Sequence, residues 1–443
     1  MKVLLVGNGA REHAIAEAIC RSAKKPELYS YATAMNPGIA GLAKSTEIGK
    51  MEDVERIAGF GKRCRAGLAV IGPELPLEKG VADALEKAGI PCVGPGKSAA
   101  RIETDKSFAR NLMMEHGIDG VVEFCVFDDA DEVADFIDSY GQPVVVKPVG
   151  LTGGKGVKIV DPGLEGQLKD NEEAKRYARE VIGNRIGGQA KVLIEEKVEG
   201  EEFSLQAFVD GRVAVPMPLV QDHKFAFEGD TGPFTGGMGS ISDSNHLLPF
   251  VTKEDCKQAV RIMQDVVQAM KKEGMDYRGI LYGGFMATRN GPKIMEFNAR
   301  FGDPEAMNVL PLLETDFLGI CEAITSGNLT KNKIRFSNKA AVCKYVVPEG
   351  YPTSPVKGKA IEIGNPGDAR IYYASVDQQD SLIMTGSRAI GCVGLAGSIQ
   401  AAEEIAERAA QAVSGPVFHR ADIGTEALLR KRVEHMQRLR GQK

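Results

Sequence analysis

The sequence lacks several features that would place the chain in a membrane or on a nucleic acid. No segment approaches the ~20 consecutive apolar residues that span a bilayer. A formal net charge of -5 leaves no basic face for nucleic acid, although a local basic pocket for a small phosphorylated molecule is compatible with it. The segment Met1–Val6 has one lysine and a short apolar run that turns directly into a glycine loop. It is therefore expected to be a buried first strand and not a signal peptide.

The eight cysteines lack the spacing of a zinc site or a disulfide framework. They are scattered, and no Cys-x-x-Cys pair is present. We therefore expect reduced thiols that pack as small hydrophobic side chains, and a cytoplasmic location. The chain also lacks internal repeats and low-complexity linkers, and nothing in it predicts a protein partner or an oligomeric state.

The length of 443 residues predicts roughly two to four domains, because a single hydrophobic core stops growing at ~250–300 residues. At the N-terminal end, short apolar strands alternate with helices. The strands are Lys2–Val6, Leu68–Ile71 and Pro91–Val93, and the helices are Arg11–Ser22 and Val81–Ala88. This β-α-β pattern predicts an α/β fold, a doubly wound parallel sheet with ligand groups at the carboxyl ends of its strands.

The rest of the chain is predicted to contain both helices and strands. A helix is expected from Thr104, its N-cap, to Gly117. The further expected elements are the strands Val144–Lys147 and Gly156–Val160, the strand pair Val192–Glu195 and Glu202–Val209, a flexible stretch Gly229–Gly239, the helix Thr252–Glu273, and the strands Ile280–Ala287 and Lys293–Phe297. The C-terminal residues predict an α+β module with the strands Ala340–Val346, Ala369–Ala374 and Ala389–Leu395 and one helix, Ser398–Ala412.

The loop Gly7–His13 lies between the first strand and the first helix, where a dinucleotide fold binds a pyrophosphate. Glu12 stands at the third glycine position of that motif, and its carboxylate would crowd and repel phosphate. Because Tyr31-Ala32-Thr33 also supplies no acid after the second strand, a Rossmann oxidoreductase is disfavoured. The loop either lies beside a small polar substrate or is only a tight connection. Glu74, after the strand Leu68–Ile71, either meets an amine or a ribose hydroxyl, or is a solvated turn residue.

A glycine-rich loop connects two strands in the middle of the chain. It contains Gly153-Gly154-Lys155-Gly156 and is preceded by Lys147. Glycines let the backbone approach phosphate oxygens, and lysines supply mobile positive charge. The loop is not a Walker A motif, because Val149 stands at the first glycine position and Gly156 at the Ser/Thr position that would hold magnesium. A hairpin that covers phosphates fits better, and the alternative is a glycine-rich hairpin with exposed lysines.

The strongest local signal is the segment Glu296–Glu305. In a strand, residues i and i+2 share a face, so Glu296 and Asn298 are expected to point the same way. A carboxylate and an amide oxygen suit Mg²⁺, which completes its shell with water and nucleotide phosphates. Arg300 would neutralise a nearby phosphate or carboxylate. The alternative is an exposed polar strand face, but apolar residues alternate with the polar ones and favour an organised face.

These motifs together resemble the nucleotide site of the ATP-grasp superfamily. The order and spacing that carry the resemblance run through Lys106, Lys147, the 153–156 hairpin, Glu195–Val198, Glu202 and the pair Glu296/Asn298. The backbone of Glu195–Val198 could bond to an adenine edge, and Glu202 could accept from ribose hydroxyls. The resemblance implies a central ATP-grasp fold.

Within that superfamily the chain resembles the phosphoribosylamine–glycine ligases, also called glycinamide ribonucleotide synthetases. The likeness covers nearly the whole chain and is weakest after about Gly350. It is carried by Val6–Gly9 with Arg11–His13, Gly72–Glu74, Gln221–Lys224, Asp230–Pro233 with Thr235–Gly239, and Glu296–Glu305. The combination of the last two motif groups is highly specific to this family.

The resemblance implies both a domain organisation and a reaction. The domains are an N-terminal Rossmann-like substrate domain at 1–104, an ATP-grasp domain at 105–330 with a hairpin-bearing lid at about 122–196, and a C-terminal α+β cap at 331–443. In the reaction, a step of purine biosynthesis, ATP phosphorylates glycine to glycyl phosphate. The amine of 5-phosphoribosylamine then displaces phosphate and gives glycinamide ribonucleotide. ATP, Mg²⁺ (or Mn²⁺) and these two small molecules are the implied ligands.

The resemblance also implies roles for residues of this chain. The residues expected at the nucleotide are Lys106, Lys147, Gly153, Gly154, Lys155, Gly156, Glu195, Lys197, Val198 and Glu202. Those expected at the metal are Glu296 and Asn298, those at the reacting groups are Arg300, Asp222 and Lys224, and those at the other substrates are Asn8, Gly9, Glu74, Gly237 and Asp303. No histidine base is required, because a neutral amine is already a competent nucleophile, so His13 is expected to pack or to cap a helix.

The sequence departs from the family pattern at a few positions. Pro148-Val149 stands where the family has Ala-Asp after the lysine, Ala10 replaces a loop glycine, and Glu349 replaces the first glycine of a pair. Two rivals remain: a formate- or bicarbonate-using ATP-grasp ligase and a non-catalytic binding protein. The 222–239 segment favours the glycine enzyme over the first, and the joint presence of Glu296, Asn298, Lys147 and Arg300 argues against the second.

Overall fold

The computed structural model describes residues 1–153, 156–330, 333–378 and 380–441. Gly154 and Lys155 of the predicted hairpin therefore lie outside the described residues. Within these ranges a parallel sheet comes first in the chain and antiparallel sheets follow it. Among the helices of the described part, none is long and apolar enough to cross a membrane.

The N-terminal residues form a five-stranded parallel sheet in the order β3-β2-β1-β4-β5. Its strands are β1 (Lys2–Val6), β2 (Glu27–Ala32), β3 (Ala43–Ile48), β4 (Leu68–Ile71) and β5 (Cys92–Val93). Its helices are α1 (Ala10–Cys20), α2 (Pro37–Leu42), α3 (Val54–Cys64), α4 (Glu74–Lys79), α5 (Val81–Lys87) and α6 (Lys97–Thr104). Strands β1 and β4 are almost wholly buried, as expected for a parallel sheet covered on both faces, and the predicted doubly wound sheet is confirmed.

Helix α7 (Lys106–Glu115) leads into a smaller antiparallel sheet with the order β6-β9-β7-β8, which we call the lid sheet. Its strands are β6 (Phe124–Phe127), β7 (Val144–Pro148), β8 (Lys158–Ile159) and β9 (Val192–Glu196), and its helices are α8 (Ala130–Tyr140) and α9 (Asn171–Gly183). These elements enclose a hydrophobic core of their own, which includes Val133, Val146 and Ala178. A separate core is what a unit needs in order to move as one body.

The central segment supplies the main antiparallel sheet, in the order β11-β10-β16-β17. Its elements are β10 (Glu201–Asp210), β11 (Ala214–Pro216), β12 (Gln221–Asp222), β13 (Phe225–Phe227), β14 (Thr231–Phe234), β15 (Gly239–Ser242), α10 (Lys253–Lys272), β16 (Arg278–Thr288), β17 (Gly291–Asn298), α11 (Ala306–Leu312) and α12 (Phe317–Ser326). Helix α10 begins at Thr252, which forms a capping box with Asp255, and its apolar face packs into the main core.

The C-terminal segment is a module of strands and helices, as predicted. Its elements are β18 (Ala340–Pro348), β19 (Ala360–Ile363), β20 (Arg370–Tyr373), β21 (Val376–Gln378), β22 (Leu382–Met384), β23 (Ile390–Ala396), α13 (Ile399–Gln411), β24 (Val413–Ser414), β25 (Val417–Phe418) and α14 (Glu426–Leu439). Strand β18 pairs with β15 of the central segment, and β15 pairs with β12. This pairing fixes Asp222 and the 237–239 glycines against the C-terminal sheet.

Several local predictions were wrong. Thr104 ends α6, and Asp105 caps α7 instead, its Oδ1 accepting the backbone N–H of Phe108 at 3.0 Å. Strands β9 and β10, expected to pair, lie in different sheets. The glycine stretch expected to be flexible contains β14, which pairs with β13. The C-terminal module has a second helix, α14, which begins after the N-cap Thr425 and was missed.

Candidate functional site

A cleft of about 760 Å³ lies where the lid sheet, the main sheet, the β13–β14 pair and helix α14 meet. Most of the predicted site residues line it: Glu74, Lys106, Lys147, Gly153, Glu195, Lys197, Val198, Glu202, Asp222, Lys224, Glu296, Asn298, Arg300 and Asp303. Four predicted residues, Asn8, Gly9, Gly156 and Gly237, are not among its lining residues. The structure therefore brings together side chains that lie almost 230 positions apart in the sequence.

Two cations hold one buried carboxylate on the lid side of the cleft. Lys147 Nζ lies 2.5 Å from Glu195 Oε2, and Arg110 Nε lies 2.6 Å from Glu195 Oε1. Burial raises the pKa of Glu195, but Arg110 and Lys147 outweigh it and hold that pKa below its usual value. Glu195 is thus an anion that orients Lys147. Arg110 was missed in the sequence, although it follows Lys106 by one helical turn on α7.

Lys106, the first residue of α7, lines the cleft and binds the loop that follows β7 through two hydrogen bonds. Its Nζ donates to the Gly150 carbonyl at 2.9 Å, and its backbone N–H donates to the Val149 carbonyl at 3.0 Å. Burial lowers the pKa of Lys106, opposed by the nearby Glu296 carboxylate. Lys106 and Lys147 therefore stand on the same side of the cleft, next to the loop that bears Gly153.

Glu296 and Asn298 both line the cleft from the end of β17. A bulge lies just before them, because Gly284 pairs with Glu296 whereas Phe285 pairs with Ile294. The extra residue, Met295, turns its carbonyl toward the cations, accepting from Arg110 Nη2 at 2.8 Å and from Lys147 Nζ at 3.1 Å. Because of the bulge, the buried residues Ile294 and Phe297 lie three positions apart, while Glu296 and Asn298 lie two positions apart and share the polar face.

The donor set fits a divalent ion that takes its remaining ligands from a substrate. Burial raises the pKa of Glu296, but Lys224, Lys147 and Lys106 outweigh it and lower that pKa, so the carboxylate is ionised. Within the described ranges no cluster of three or more His, Cys, Asp or Glu forms a closed metal cage. Two oxygen donors in an open cleft are what Mg²⁺ bound with nucleotide phosphates requires.

Lys224, Asp222 and Glu305 form a second charged group, opposite the lid. Lys224 Nζ lies 2.8 Å from Glu202 Oε2. Burial and the neighbouring Glu305 raise the pKa of Asp222 well above its usual value, and burial raises that of Glu305 as well. Burial opposes the charge of Lys224, but Glu202, Glu296 and Asp222 outweigh it and raise the pKa of Lys224. The lysine is therefore charged, whereas burial favours the protonated forms of the two acids.

Arg300 connects the main sheet to the N-terminal domain. Its Nη2 lies 2.9 Å from Glu103 Oε1 and donates to Asn298 Oδ1 at 3.3 Å, and its Nε lies 3.5 Å from Glu74 Oε2. Glu74 is the first residue of α4, and its side chain is 34% exposed, so it is an ion-pair partner and not a freely solvated turn residue. Glu103 was missed in the sequence, since nothing local marks an acid at the end of α6.

The N-terminal glycine loop is filled by Glu12. The Glu12 carboxylate accepts the Gly9 N–H at 2.6 Å and lies against Gly7 and Gly72, where an added Cβ would overlap its side chain. The amide that a dinucleotide fold would offer to pyrophosphate is therefore occupied, as Glu12 in the motif led us to expect. Gly9 still faces the cleft wall, because a Cβ there would lie 3.8 Å from Asp303 Oδ2. Asn8 Oδ1 accepts from Thr33 Oγ1 at 2.9 Å.

The C-terminal module holds Asp303 and Gly237 in place. Arg388 Nη2 lies 3.1 Å from Asp303 Oδ2, and Arg388 Nη1 donates to the Gly237 carbonyl at 3.0 Å. The Tyr345 hydroxyl donates to Asp303 Oδ1 at 2.6 Å. No residue of this module was expected at the site from the sequence, yet Arg388 and Tyr345 contact the predicted site residues Asp303 and Gly237.

The two histidines of the predicted motifs are buried and poorly basic. His13 is stacked on Tyr373 and accepts its backbone N–H at 3.1 Å, and burial lowers its pKa to about 4. Burial, with Arg420 and Arg432, lowers the pKa of His223 to about 3. His13 therefore packs the N-terminal helix α1 onto β20, in line with the packing role expected for it.

Known proteins are similar to this chain over nearly its whole length. Three domain models of one family follow each other along it: the phosphoribosylglycinamide synthetase N domain matches residues 1–103, the ATP-grasp (A) domain 104–306 and the C domain 341–426. A phosphoribosylamine–glycine ligase from Methanobrevibacter smithii is 52% identical over 444 residues, which covers 99% of this chain and 100% of the relative.

Solved structures show the same fold. The crystal structure of the phosphoribosylamine–glycine ligase from Thermotoga maritima has a TM-score of 0.82 at 30% identity and covers 96% of this chain and 100% of its own. The biotin carboxylase domain of 2-oxoglutarate carboxylase from Hydrogenobacter thermophilus, in complex with MgADP, ADP and bicarbonate, has a TM-score of 0.74 at 16% identity and covers 98% of this chain and 93% of its own. The second likeness concerns the fold alone, and the ATP-grasp domain is shown by the family model that matches residues 104–306.

The family resemblance found in the sequence is therefore confirmed over all three parts of the molecule. The biotin carboxylase domain solved with bicarbonate is similar to this chain at the level of fold alone, whereas the relative at 52% identity is named a phosphoribosylamine–glycine ligase. This chain belongs to the phosphoribosylamine–glycine ligase (phosphoribosylglycinamide synthetase) family of ATP-grasp ligases.

Proposed function

We propose that this chain joins glycine to 5-phosphoribosylamine at the expense of ATP, giving glycinamide ribonucleotide, ADP and phosphate in purine biosynthesis. The observation that carries the proposal is one cleft with Lys106 and Lys147 on one wall, Lys224 on another and the oxygen pair Glu296/Asn298 between them. Cations on two sides suit a transferred phosphoryl group, since they neutralise its oxygens as charge shifts toward the leaving ADP.

The first step makes glycine reactive. A carboxylate is a poor acylating agent because hydroxide leaves badly, so a glycine carboxylate oxygen attacks the γ-phosphorus of ATP and ADP departs. The product, glycyl phosphate, carries phosphate as a good leaving group. The protein contributes position and charge more than covalent chemistry, and its lid keeps water away from an acyl phosphate that would otherwise hydrolyse.

The nucleotide occupies the lid side of the cleft. Lys106 and Lys147 neutralise the phosphates, with Glu195 and the Met295 carbonyl keeping Lys147 in position. Gly153, Gly154, Lys155 and Gly156 are proposed to contact the phosphates. Lys197 and Val198 lie at the adenine, and Glu202 holds the ribose hydroxyls after exchanging its present partner Lys224.

Mg²⁺ (or Mn²⁺) is the metal that we propose for the oxygen pair. Glu296 and Asn298 would hold it, and when bound it would neutralise negative charge on the nucleotide phosphates. The ionised state of Glu296 supports this assignment, as does the bulge at Met295, which aims the end of β17 into the cleft.

The second step forms the amide on the side of the cleft away from the lid. The neutral amine of 5-phosphoribosylamine attacks the acyl carbon of glycyl phosphate, phosphate leaves, and the amine loses a proton. Arg300 and Asp222 are proposed at the two reacting ends, and Lys224 with the 235–239 loop lies over the acyl phosphate. Asn8, Gly9, Glu74, Gly237 and Asp303 are proposed for the phosphoribosylamine and glycine subsites.

The remaining predictions are kept as part of this proposal. We propose the domain limits 1–104, 105–330 and 331–443; the parallel N-terminal sheet supports the first domain, and the separate core of the lid sheet supports a lid at about 122–196. A cytoplasmic location is supported by eight cysteines that are all free thiols. Small molecules, not nucleic acid or membrane, are the proposed partners.

The proposal is tested by ADP release with ATP, Mg²⁺ and glycine, with and without freshly generated phosphoribosylamine. We expect release that needs both glycine and the amine, with glycinamide ribonucleotide identified by mass. Release that ignores glycine but responds to formate or bicarbonate would retain the fold and overturn the substrate. If no carboxylate triggered ADP release, the alternative of a non-catalytic binding protein would be favoured.

A further inference from the structure

One face of the C-terminal helix α14 lines the cleft. The side chains of Lys431, Arg432, His435 and Arg438 are all lining residues, and their spacing of one, four and seven positions places them on one side of a helix. Helix α14 lies almost wholly beyond the C-domain match, which ends at residue 426. This wall of the cleft therefore has no role in the site as described above.

The helix is fixed to the short connection between the lid sheet and the main sheet. His435 Nδ1 lies 2.6 Å from Glu201 Oε1, and Arg432 Nη1 lies 3.2 Å from Glu201 Oε2. His435 Nε2 also lies 3.6 Å from Glu199 Oε1. These two glutamates stand between Val198, the proposed adenine contact, and Glu202, the proposed ribose contact. Helix α14 thus meets the connection where the nucleoside is expected.

The cations of this face differ in how they are paired. Lys431 donates to the Gly229 carbonyl at 3.2 Å, and Arg432 pairs with Glu201 and Asp230. The Arg438 side chain is exposed on the cleft wall, and within the described residues its guanidinium makes no hydrogen bond or ion pair. An unengaged guanidinium at a nucleoside site has two suitable ligands, the π-face of a base and the hydroxyls of a ribose.

We propose that α14 forms the adenosine end of the nucleotide site, with Arg438 contacting the bound nucleoside and His435 and Arg432 positioning the 199–202 connection. The inference rests on the proposed function, because it assigns a ligand to the same cleft. The subsite assigned to α14 is separate from the phosphate subsite at Lys106, Lys147 and Glu296. The helix is therefore proposed to contact the nucleoside and not the phosphates.

Calorimetric titration of the full chain with MgADP and, separately, with magnesium triphosphate tests the role of Arg438. Arg438→Ala is expected to weaken ADP binding about fivefold, the typical worth of one guanidinium–base contact, and to leave triphosphate binding unchanged. Arg430→Ala is the matched control, because Arg430 is an exposed arginine of the same helix that does not line the cleft. It is expected to change neither affinity.

Three results would count against the inference. Unchanged ADP affinity in Arg438→Ala overturns the contact, and an equal loss for ADP and triphosphate assigns Arg438 to the phosphates instead. Both leave the proposed function intact. A wild-type chain that binds no ADP removes the proposed function itself, and the helix assignment with it.

His435 is a positioning residue, and its test separates KM from kcat. His435→Ala is expected to raise the KM for ATP severalfold with kcat little changed, whereas His435→Gln, which retains a donor toward Glu201, is expected to restore the KM. The positioning role would be contradicted if both His435 variants lowered kcat to the same extent, or if His435→Gln did not restore the KM for ATP.

Discussion

The two ends of the cleft differ in the balance of their charges. At the lid end three cations, Lys106, Arg110 and Lys147, stand against the single carboxylate of Glu195, apart from the metal-site Glu296. At the other end Arg300 is matched by Glu103 and Glu74, and Arg388 by Asp303. An excess of positive charge suits a polyanionic triphosphate, whereas an end with three carboxylates against two arginines suits an amine. The comparison predicts that substitutions at the two ends affect different substrates.

The largest effect is expected at Glu296, where the two ends meet. Glu296→Ala should lower kcat about a thousandfold, because it removes the ionised ligand of the proposed metal. The measurement is steady-state turnover against Mg²⁺ concentration, with Glu434→Ala, an exposed glutamate of α14, as control. Turnover within a few fold of wild type at saturating Mg²⁺ would remove the metal assignment.

Removal of Lys147 probes the lid end directly. Lys147→Met should lower kcat/KM for ATP about a hundredfold, the usual worth of one preorganised charged donor, with little change in the KM for glycine. The exposed Lys191, which precedes β9, supplies the control Lys191→Met. If Lys147→Met changed the KM for glycine as much as that for ATP, the charge excess would not distinguish the two ends.

Removal of Arg388 probes the opposite end. Arg388→Ala leaves Asp303 and the Gly237 carbonyl without a donor, and it should raise the KM for phosphoribosylamine or glycine about tenfold. The KM for ATP is expected to stay within a factor of about two. The control is Arg289→Ala at an exposed turn between β16 and β17. An effect confined to ATP would reverse the assignment of the C-terminal module.

The smallest expected effect concerns stability and pH at Asp222. Burial and Glu305 raise its pKa, so the folded state holds a proton more tightly than the unfolded chain. The resulting stabilisation is present at low pH and is lost as pH rises above the ordinary carboxyl value of about 4 toward the raised one. Asp222→Asn removes this loss, and its melting temperature should exceed that of wild type by about 2 °C or more near neutral pH.

The matched variant Asp265→Asn, at an exposed position of α10, should melt with wild type throughout. A Tm difference between Asp222→Asn and wild type that is constant from pH 4 to pH 8 would show that the raised pKa of Asp222 does not govern it.

Much of the lid end could be read from the sequence because its signals are local. Lys147 and the glycines after it are neighbours in the chain, and Glu296 and Asn298 follow the two-residue period of a strand. What the sequence did not show at this end is the bulge at Met295, since a bulge depends on the pairing of β17 with β16. Arg110 was missed for a related reason: its partner Glu195 lies 85 positions away.

The opposite end was harder to predict because it is assembled from distant parts of the chain. Arg388 reaches Asp303 from 85 positions away and Gly237 from 151 positions away. The pairing of β15 with β18 brings these segments together, and neither strand contains a sequence motif that identifies the other as its partner. Helix α14 was overlooked although its N-cap Thr425 is a local signal, whereas the contact of its polar face with Glu201 depends on residues more than 230 positions away.

The central claim is that glycine is activated as an acyl phosphate in this cleft, and isotope transfer tests it most directly. Glycine labelled with ¹⁸O in its carboxylate is incubated with ATP, Mg²⁺, phosphoribosylamine and the wild-type chain, and the released phosphate is analysed by mass. We predict one ¹⁸O atom in each phosphate formed, because the attacking carboxylate oxygen stays on phosphorus when the amine displaces it. Phosphate without ¹⁸O, formed together with glycinamide ribonucleotide, would contradict the account.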